Sequence, residues 1–163
     1  MAASLATFKE AVEKLIHRFD SDCSHYLSKG YPEAQARVDF ITPFFKALGW
    51  DVENEAGLSH FEREVVVEQG ESDMTGRPDY SFRLNGQTKF FVEAKAPSES
   101  LDGPHHILQA TGYAWNTKTV FFVVLANFEE FRFYDGSLTP DERKPDERAA
   151  FRWLPFRLYL WRC

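Results

Sequence analysis

The chain has 163 residues, of which 44% are hydrophobic and 16% aromatic, as expected for one globular domain with its own core. This composition excludes intrinsic disorder and a disulfide-stapled miniprotein. The net charge of −6 argues against a free-standing DNA-binding protein, because such proteins usually carry a surplus of positive charge.

The chain carries no sequence signal for a membrane or for export. Its longest apolar run, residues 120–126, is far shorter than the ~20 residues of a membrane-spanning helix. The N-terminus lacks the apolar segment of a secretory signal and contains Glu10 and Glu13. We therefore expect a cytoplasmic protein with no membrane contact. Cys23 and Cys163 are unclustered and have no metal-ligand spacing.

Two amphipathic helices are predicted before residue 50. Apolar residues recur every three or four positions over residues 5–27 and again over residues 32–48. Gly30 separates the two helices. Pro43 predicts either a kink in the second helix or a new helical turn capped by Thr42.

After Trp50 the pattern becomes that of strands. Asn85-Gly86 predicts a hairpin turn between two of them. Strands are predicted at residues 61–68, 79–84, 88–95, 120–126 and 131–134, with a helix at residues 104–115 after the third strand. This order predicts an α/β fold in which a mixed central β-sheet is flanked by helices.

The composition changes near residue 136, which we take as the end of the domain. Residues 137–163 begin with a charged segment interrupted by prolines, which is typical of a linker. We interpret this part as a linker and the start of a connection to a further domain. Its apolar stretch, residues 151–161, either docks on the domain or begins another one.

The strand predicted at residues 88–95 ends with two opposite charges. Residues 90–92 are apolar, which predicts a strand buried on both faces. Glu93 and Lys95 follow two residues apart, so they share one face. Buried charges are costly without a partner. The plain interpretations are a mutual ion pair at the strand end or emergence of both side chains into solvent, and the functional one is a metal-binding carboxylate beside a cation that meets an anionic substrate.

The position of Asp79 distinguishes these interpretations, and it depends on the hairpin. A clean two-residue turn at Asn85-Gly86 would place Asp79 opposite Val92, on the other face from Glu93. A three-residue turn or a β-bulge would place Asp79 on the face of Glu93. A site that contains both carboxylates therefore requires one of these last two arrangements.

Two carboxylates and a lysine on one face suit a hard divalent cation. Mg²⁺, for which Mn²⁺ can substitute, typically takes one or two carboxylates and fills its shell with water and phosphate oxygens. Such an ion would polarise a phosphodiester and acidify a bound water. Lys95 would stabilise the charge that develops on the phosphate, or orient that water.

The same residues resemble the motif of the PD-(D/E)XK nucleases, in which Pro78-Asp79 would be followed by Glu93-Ala94-Lys95. The resemblance implies that Asp79 and Glu93 bind Mg²⁺ and that the Ala94 carbonyl is a further ligand. It also implies that Lys95 is the catalytic lysine and that Glu33 approaches the metal directly or through water. The fold it implies has an αβββαβ core, consistent with the predicted elements.

Gln109 and Tyr113 match the QxxxY motif of the branch that includes restriction-enzyme nuclease domains, and would position the DNA strand or support the metal site. The likeness extends over residues 33–135. The chain resembles the N-terminal nuclease domain of fused type II restriction–modification enzymes, and the nuclease domain of type I restriction motor subunits is similar too. The segments that carry it include EAQARVDFITPFFKALGWDV, KFFVEAKAPSESL and LANFEEFRFYD.

Plainer interpretations of the helical residues also stay open. Glu33 and Arg37 are four residues apart, a spacing that suits an ion pair on a helix surface. Gln109 and Tyr113 have the same spacing, and Tyr113 could be a core residue with a hydrated hydroxyl.

These observations predict a Mg²⁺-dependent DNA endonuclease domain of a restriction or restriction–modification system. Its partner would be double-stranded DNA. Because an acidic domain neutralises few phosphates, we expect target recognition to reside in methyltransferase, target-recognition or motor domains of the same chain or complex. The alternative is a catalytically inactive nucleic-acid-binding or assembly module with the same fold.

Overall fold

The computed structural model describes residues 4–68, 77–141 and 143, and the backbone of residues 150–155. The chain begins with a helical layer. The hydroxyl of Ser4 accepts the backbone N–H of Thr7 and so caps the first helix. The helices are α1 (Leu5–Ser21), α2 (Cys23–Tyr26), α3 (Glu33–Ala36), a π-helical turn (Arg37–Ile41) and α4 (Thr42–Ala47).

The helix predicted at residues 32–48 is present, but its hydrogen bonding changes in the middle. Pro43 lies in the first turn of α4, and the π-helical turn Arg37–Ile41 directly precedes it. A proline lacks the N–H of a regular helical bond and its ring crowds the preceding turn, so a wider turn accommodates it. The predicted new helical turn begins at Thr42. Its hydroxyl does not cap the helix, however, but bonds to the hydroxyl of Tyr80 at 2.9 Å.

Six strands form one mixed sheet in the order β1 to β6. The strands β3 and β4 are parallel, and all other neighbours are antiparallel. Helix α5 (Pro104–Trp115) connects the parallel pair. The strands are β1 (Val65–Val67), β2 (Tyr80–Leu84), β3 (Gln87–Ala94), β4 (Phe122–Ala126), β5 (Glu130–Asp135) and β6 (Ala150–Pro155). The predicted α/β class and the αβββαβ order are confirmed.

The first strand is shorter than the predicted segment 61–68. The backbone amides of Glu62 and Arg63 both bond to the carbonyl of Ser59, so this part forms a turn. Phe61 accordingly points outward and is 80% exposed.

The core has two layers because strand side chains alternate between faces. On one face of β3, Phe90, Val92 and Ala94 pack with residues of α1 and α4. On the other face, Phe91 packs with residues of α5 such as Ile107. Strand β4 is buried on both faces, as its continuous apolar sequence predicts.

Strand β6 pairs antiparallel with β5, so the backbone of residues 150–155 docks on the domain. The rest of the apolar stretch and most of the predicted charged linker lie outside the described residues. The domain boundary at residue 136 therefore stays a prediction. Among the described helices, none combines the length and apolar character needed to cross a membrane.

Candidate active site

The β2–β3 hairpin contains both a two-residue turn and a β-bulge. Asn85 and Gly86 have φ angles of 52° and 74°, the left-handed conformation that a tight two-residue turn requires. Further from the turn the pairing shifts by one residue, so that Phe82 lies opposite Phe90 and Lys89 is the additional residue.

The bulge brings Asp79 level with Glu93. Tyr80 pairs with Val92, and the residue before Tyr80 therefore faces the residue after Val92. The backbone N–H of Ala94 donates a 2.7 Å hydrogen bond to Oδ2 of Asp79, which fixes the carboxylate beside this strand. Without the bulge Asp79 would lie on the opposite face. The structure therefore contains one of the two irregularities that would place Asp79 on the face of Glu93, namely a β-bulge.

Lys95 lies between two carboxylates. Its Nζ is 3.0 Å from Oε1 of Glu93 and 3.5 Å from Oε2 of Glu33. The side chains of Glu93 and Lys95 are 0% and 3% exposed, whereas that of Glu33 is 28% exposed. The mutual Glu93–Lys95 ion pair, one of the interpretations that the sequence leaves open, is therefore present, and Glu33 is the member of this group of three that reaches solvent.

Arg37 is a second cation of the site, and its role was missed by the sequence analysis. Its Nη1 lies 2.7 Å from Oδ1 of Asp79, and its Nη2 donates a 2.7 Å bond to the carbonyl of Glu68. The guanidinium also lies 5.2 Å from the ring centroid of Tyr80. Glu33 and Arg37 thus bind the sheet instead of forming the surface pair left open above. Their four-residue spacing is the signal that could have placed both in one site.

Burial and neighbouring charges shift the pKa values of this cluster. Burial raises the pKa of Glu93 to about 7; the charge of Asp79 adds to this rise and Lys95 opposes it. Burial likewise raises the pKa of Glu33 to about 7 against the opposing effect of Lys95. Burial alone would lower the pKa of Lys95, but the two glutamates outweigh it and raise that pKa. Lys95 therefore stays protonated at neutral pH.

Gln109 and Tyr113 lie on α5 and bond to one another. Nε2 of Gln109 donates a 2.9 Å hydrogen bond to the hydroxyl of Tyr113. Burial raises the pKa of Tyr113, and the charges of Glu93 and Asp79 raise it further, so its hydroxyl is within electrostatic range of the cluster. Its ring packs beside the core layer under α5, so the residue has both a core side and a polar end.

Asp79 and Glu93 are the side chains best suited to hold a divalent cation. Both are hard oxygen donors, and the buried Oε2 of Glu93 has no hydrogen-bond partner among the described residues. Within residues 4–68 and 77–141, no three His, Cys, Asp or Glu side chains are grouped as a metal site by themselves. An ion bound to Asp79 and Glu93 would need further ligands such as the Ala94 carbonyl, water or substrate oxygens. The carboxylate of Glu33 is paired with Lys95.

The fold and site define an α/β domain with a buried acid–lysine–arginine cluster at the ends of two neighbouring strands. Over 134 residues, or 79% of its length, the chain is 41% identical to the type II restriction enzyme and methyltransferase RM.Eco57I of Escherichia coli. The chain is therefore a domain related to a restriction enzyme. It spans 13% of the length of that relative. No family model matches the chain, and no solved structure matches it significantly.

Proposed function

We propose that this domain is a Mg²⁺-dependent endonuclease that hydrolyses phosphodiester bonds of double-stranded DNA within a restriction or restriction–modification system. The observation that carries the proposal is the convergence of Asp79, Glu93 and Lys95 on one face, which depends on the bulge at Lys89. The similarity to a restriction enzyme is consistent with this role.

In this proposal Asp79 and Glu93 hold the cation, with the Ala94 carbonyl as a further ligand and Glu33 acting through water. The donor set fits, because both side chains are carboxylates and one Glu93 oxygen is buried without a hydrogen-bond partner among the described residues. Bound Mg²⁺ would polarise the phosphodiester and lower the pKa of a bound water.

The side chains around this position would orient and stabilise the reacting group. The protonated Nζ of Lys95 stabilises the negative charge that builds up on the phosphate oxygens. The polar ends of Gln109 and Tyr113 hold the DNA strand or support the carboxylates, since their hydrogen-bonded pair lies within the electrostatic range of the cluster.

Sequence recognition would come from other domains. The 19 basic residues are outnumbered by 25 acidic ones, so the domain has no surplus of positive charge to neutralise DNA phosphates, and phosphate contacts supply much of the affinity for duplex DNA. We propose methyltransferase, target-recognition or motor domains as partners, in the same chain or complex, and a cytoplasmic location with no membrane partner. Alone, the domain is expected to nick DNA with little sequence preference.

A plasmid-nicking assay tests the proposal. Wild-type protein should convert supercoiled plasmid to the nicked form with Mg²⁺ or Mn²⁺ but not with EDTA. Glu93→Gln and Lys95→Met should each lower the rate by about 100-fold or more, as expected for loss of a group that stabilises the transition state. Matched controls are Glu55→Gln and Lys46→Met, which remove an exposed ion pair of 2.8 Å away from the cluster.

A second measurement separates two reasons for a failed assay. If wild-type protein nicks nothing even with Mn²⁺, calorimetric titration with Mn²⁺ decides between them. If wild type binds Mn²⁺ and Glu93→Gln does not, the metal site is present and cleavage needs further domains. The absence of binding both by wild type and by a variant that lacks the cation beside Asp79 would refute the metal site.

The alternative is a catalytically inactive nucleic-acid-binding or assembly module. Asp79, Glu93 and Lys95 are each at most 3% exposed, which favours a purely structural ion-pair cluster. Under this alternative the wild-type protein would not nick plasmid, DNA binding would be unaffected by EDTA, and Glu93→Gln would change thermal stability only.

A further inference from the structure

Both carboxylate oxygens of Asp79 are engaged, but by partners of different kinds. Oδ2 accepts the backbone N–H of Ala94 at 2.7 Å, within the hydrogen-bonded frame of the sheet. Oδ1 lies 2.7 Å from Nη1 of Arg37, the end of a long side chain on the helical layer. Because Asp79 is fully buried, a cation that reaches it must share or take the position of one partner. The Arg37 guanidinium ends a side chain with several rotatable bonds, whereas the Ala94 donor is part of the backbone of β3.

Arg37 has other contacts that would keep it in place after it leaves Asp79. Its Nη2 donates to the carbonyl of Glu68 at 2.7 Å, and its guanidinium lies over the ring of Tyr80. A small rotation of the guanidinium could therefore free Oδ1 while one hydrogen bond and the aromatic contact persist. The cost of releasing the carboxylate is correspondingly reduced.

The charges of the cluster also favour an exchange. Three carboxylates (Asp79, Glu33 and Glu93) and two cations (Arg37 and Lys95) converge here. A dication beside Asp79 would meet the guanidinium at short range in a buried site, where like charges repel strongly. Without the dication, loss of Arg37 would remove the cation that lies 2.7 Å from Oδ1 of this buried carboxylate, which is also costly.

We propose that Arg37 is an exchangeable counter-ion, which neutralises Asp79 in the metal-free protein and is displaced from it by a divalent cation. This inference rests on the metal site of the proposed function. Arg37 is a positioning residue that acts through Asp79. It keeps the metal-free site folded at the expense of metal affinity.

Calorimetric titration of the full chain with Mn²⁺ at pH 8 tests this exchange. Arg37→Met keeps an aliphatic stem against Tyr80 but removes the competing charge, so it should bind Mn²⁺ about tenfold or more tightly than wild type. Arg37→Lys retains a cation and should remain within about threefold of wild type. Arg18→Met is the matched control, because it removes an arginine paired with Asp39 at 2.8 Å outside the cluster; its affinity should not change.

The outcomes separate this inference from the proposed function. Tighter binding by Arg37→Met supports the exchange, including the case in which wild type binds no Mn²⁺. Equal or weaker binding by a folded Arg37→Met, with wild type binding, overturns the exchange and leaves the metal site intact. If neither protein binds Mn²⁺, both the exchange and the metal site are refuted.

A measurement on wild-type protein covers the case in which Arg37→Met does not fold. Titration with Mg²⁺, followed by NMR of the arginine side-chain Nε–Hε signals, should shift the Arg37 signal and leave that of Arg18 unchanged. An Arg37 signal that stays constant while Mg²⁺ saturates its site would overturn the exchange.

Discussion

Lys95 and Glu93 form a 3.0 Å ion pair in which neither side chain is more than 3% exposed. Glu93 lies near the end of β3 and Lys95 directly follows that strand, and almost no water reaches either charge. The arrangement persists because each charge compensates the other, and because Glu33 lies 3.5 Å from the same ammonium.

Removal of Lys95 alone is expected to destabilise the fold strongly. Lys95→Met leaves Glu93 and Glu33 without their shared cation, which should lower the free energy of unfolding at pH 8 by about 3–5 kcal/mol in urea titrations. The double variant Glu93→Gln/Lys95→Met removes both buried charges and should recover part of this loss. A double variant that is less stable than Lys95→Met would contradict the compensation described here.

The metal-free protein should lose stability as the pH rises from about 5 to 8. In the folded state the pKa of Glu93 and that of Glu33 are raised to about 7, above the ordinary value of 4.5. Between pH 4.5 and about 7 the folded state therefore binds more protons than the unfolded state. The stability that these protonated carboxyl groups contribute is fully present below pH 4.5 and is lost as the pH rises through about 7.

Chemical unfolding in EDTA at several pH values checks this dependence. The free energy of unfolding of wild type should fall relative to that of Glu93→Gln, at up to about 1.4 kcal/mol per pH unit for one carboxyl group. The free energy of unfolding of Lys46→Met, which removes a surface cation paired with Glu53 and Glu55 away from the cluster, should show the same pH dependence as that of wild type. If the free energies of unfolding of wild type and Glu93→Gln had the same pH dependence, the raised pKa of Glu93 would be refuted.

The hydroxyl of Tyr113 is expected to affect activity more than stability. Tyr113→Phe keeps the ring beside the core but removes the acceptor of the Gln109 hydrogen bond. Plasmid nicking should slow by about tenfold, while the free energy of unfolding changes by about 1 kcal/mol or less. Tyr31→Phe, which removes a hydroxyl bonded to Asp39 on the helical layer, should leave nicking unchanged. Equal nicking rates for wild type, Tyr113→Phe and Tyr31→Phe would show that the Tyr113 hydroxyl has no role in cleavage.

Phe40 is expected to be a main support of the helical layer. It is fully buried, and its ring centroid lies 4.6 Å from that of Phe128 and 4.8 Å from that of Tyr26. Phe40→Ala should therefore lower the free energy of unfolding by about 3–5 kcal/mol. Phe61→Ala should change it by no more than about 0.5 kcal/mol, because that side chain is 80% exposed. Similar losses for the two variants would contradict this account of the core.

The elements that the sequence predicts best are those with strong local signals. The range predicted for α5 agrees with the structure, because Gly103-Pro104 marks its start and its apolar spacing is regular. The strand predicted at residues 61–68 was too long. Apolar residues occur only at position 61 and at positions 65–67 of this segment, and they do not show that residues 61–63 form a turn before the paired strand.

Two features of the site could not be predicted from local sequence. Asn85-Gly86 indicates a tight turn, but nothing in the sequence marks Lys89 as a bulge, because bulging depends on how the two strands pack against their layers. The link between Arg37 and Asp79 likewise depends on how the helical layer sits on the sheet, which is set by tertiary packing.

The bulge has a consequence for chain-length variation. Surface hairpins commonly tolerate the gain or loss of a residue. In this hairpin, deletion of Lys89 would turn Asp79 to the far side of the sheet from Glu93, although every letter of the acidic motif would still be present. In a homologue with a hairpin of different length, the motif alone would thus be a poor guide to a working site, and hairpin length would have to be compared first.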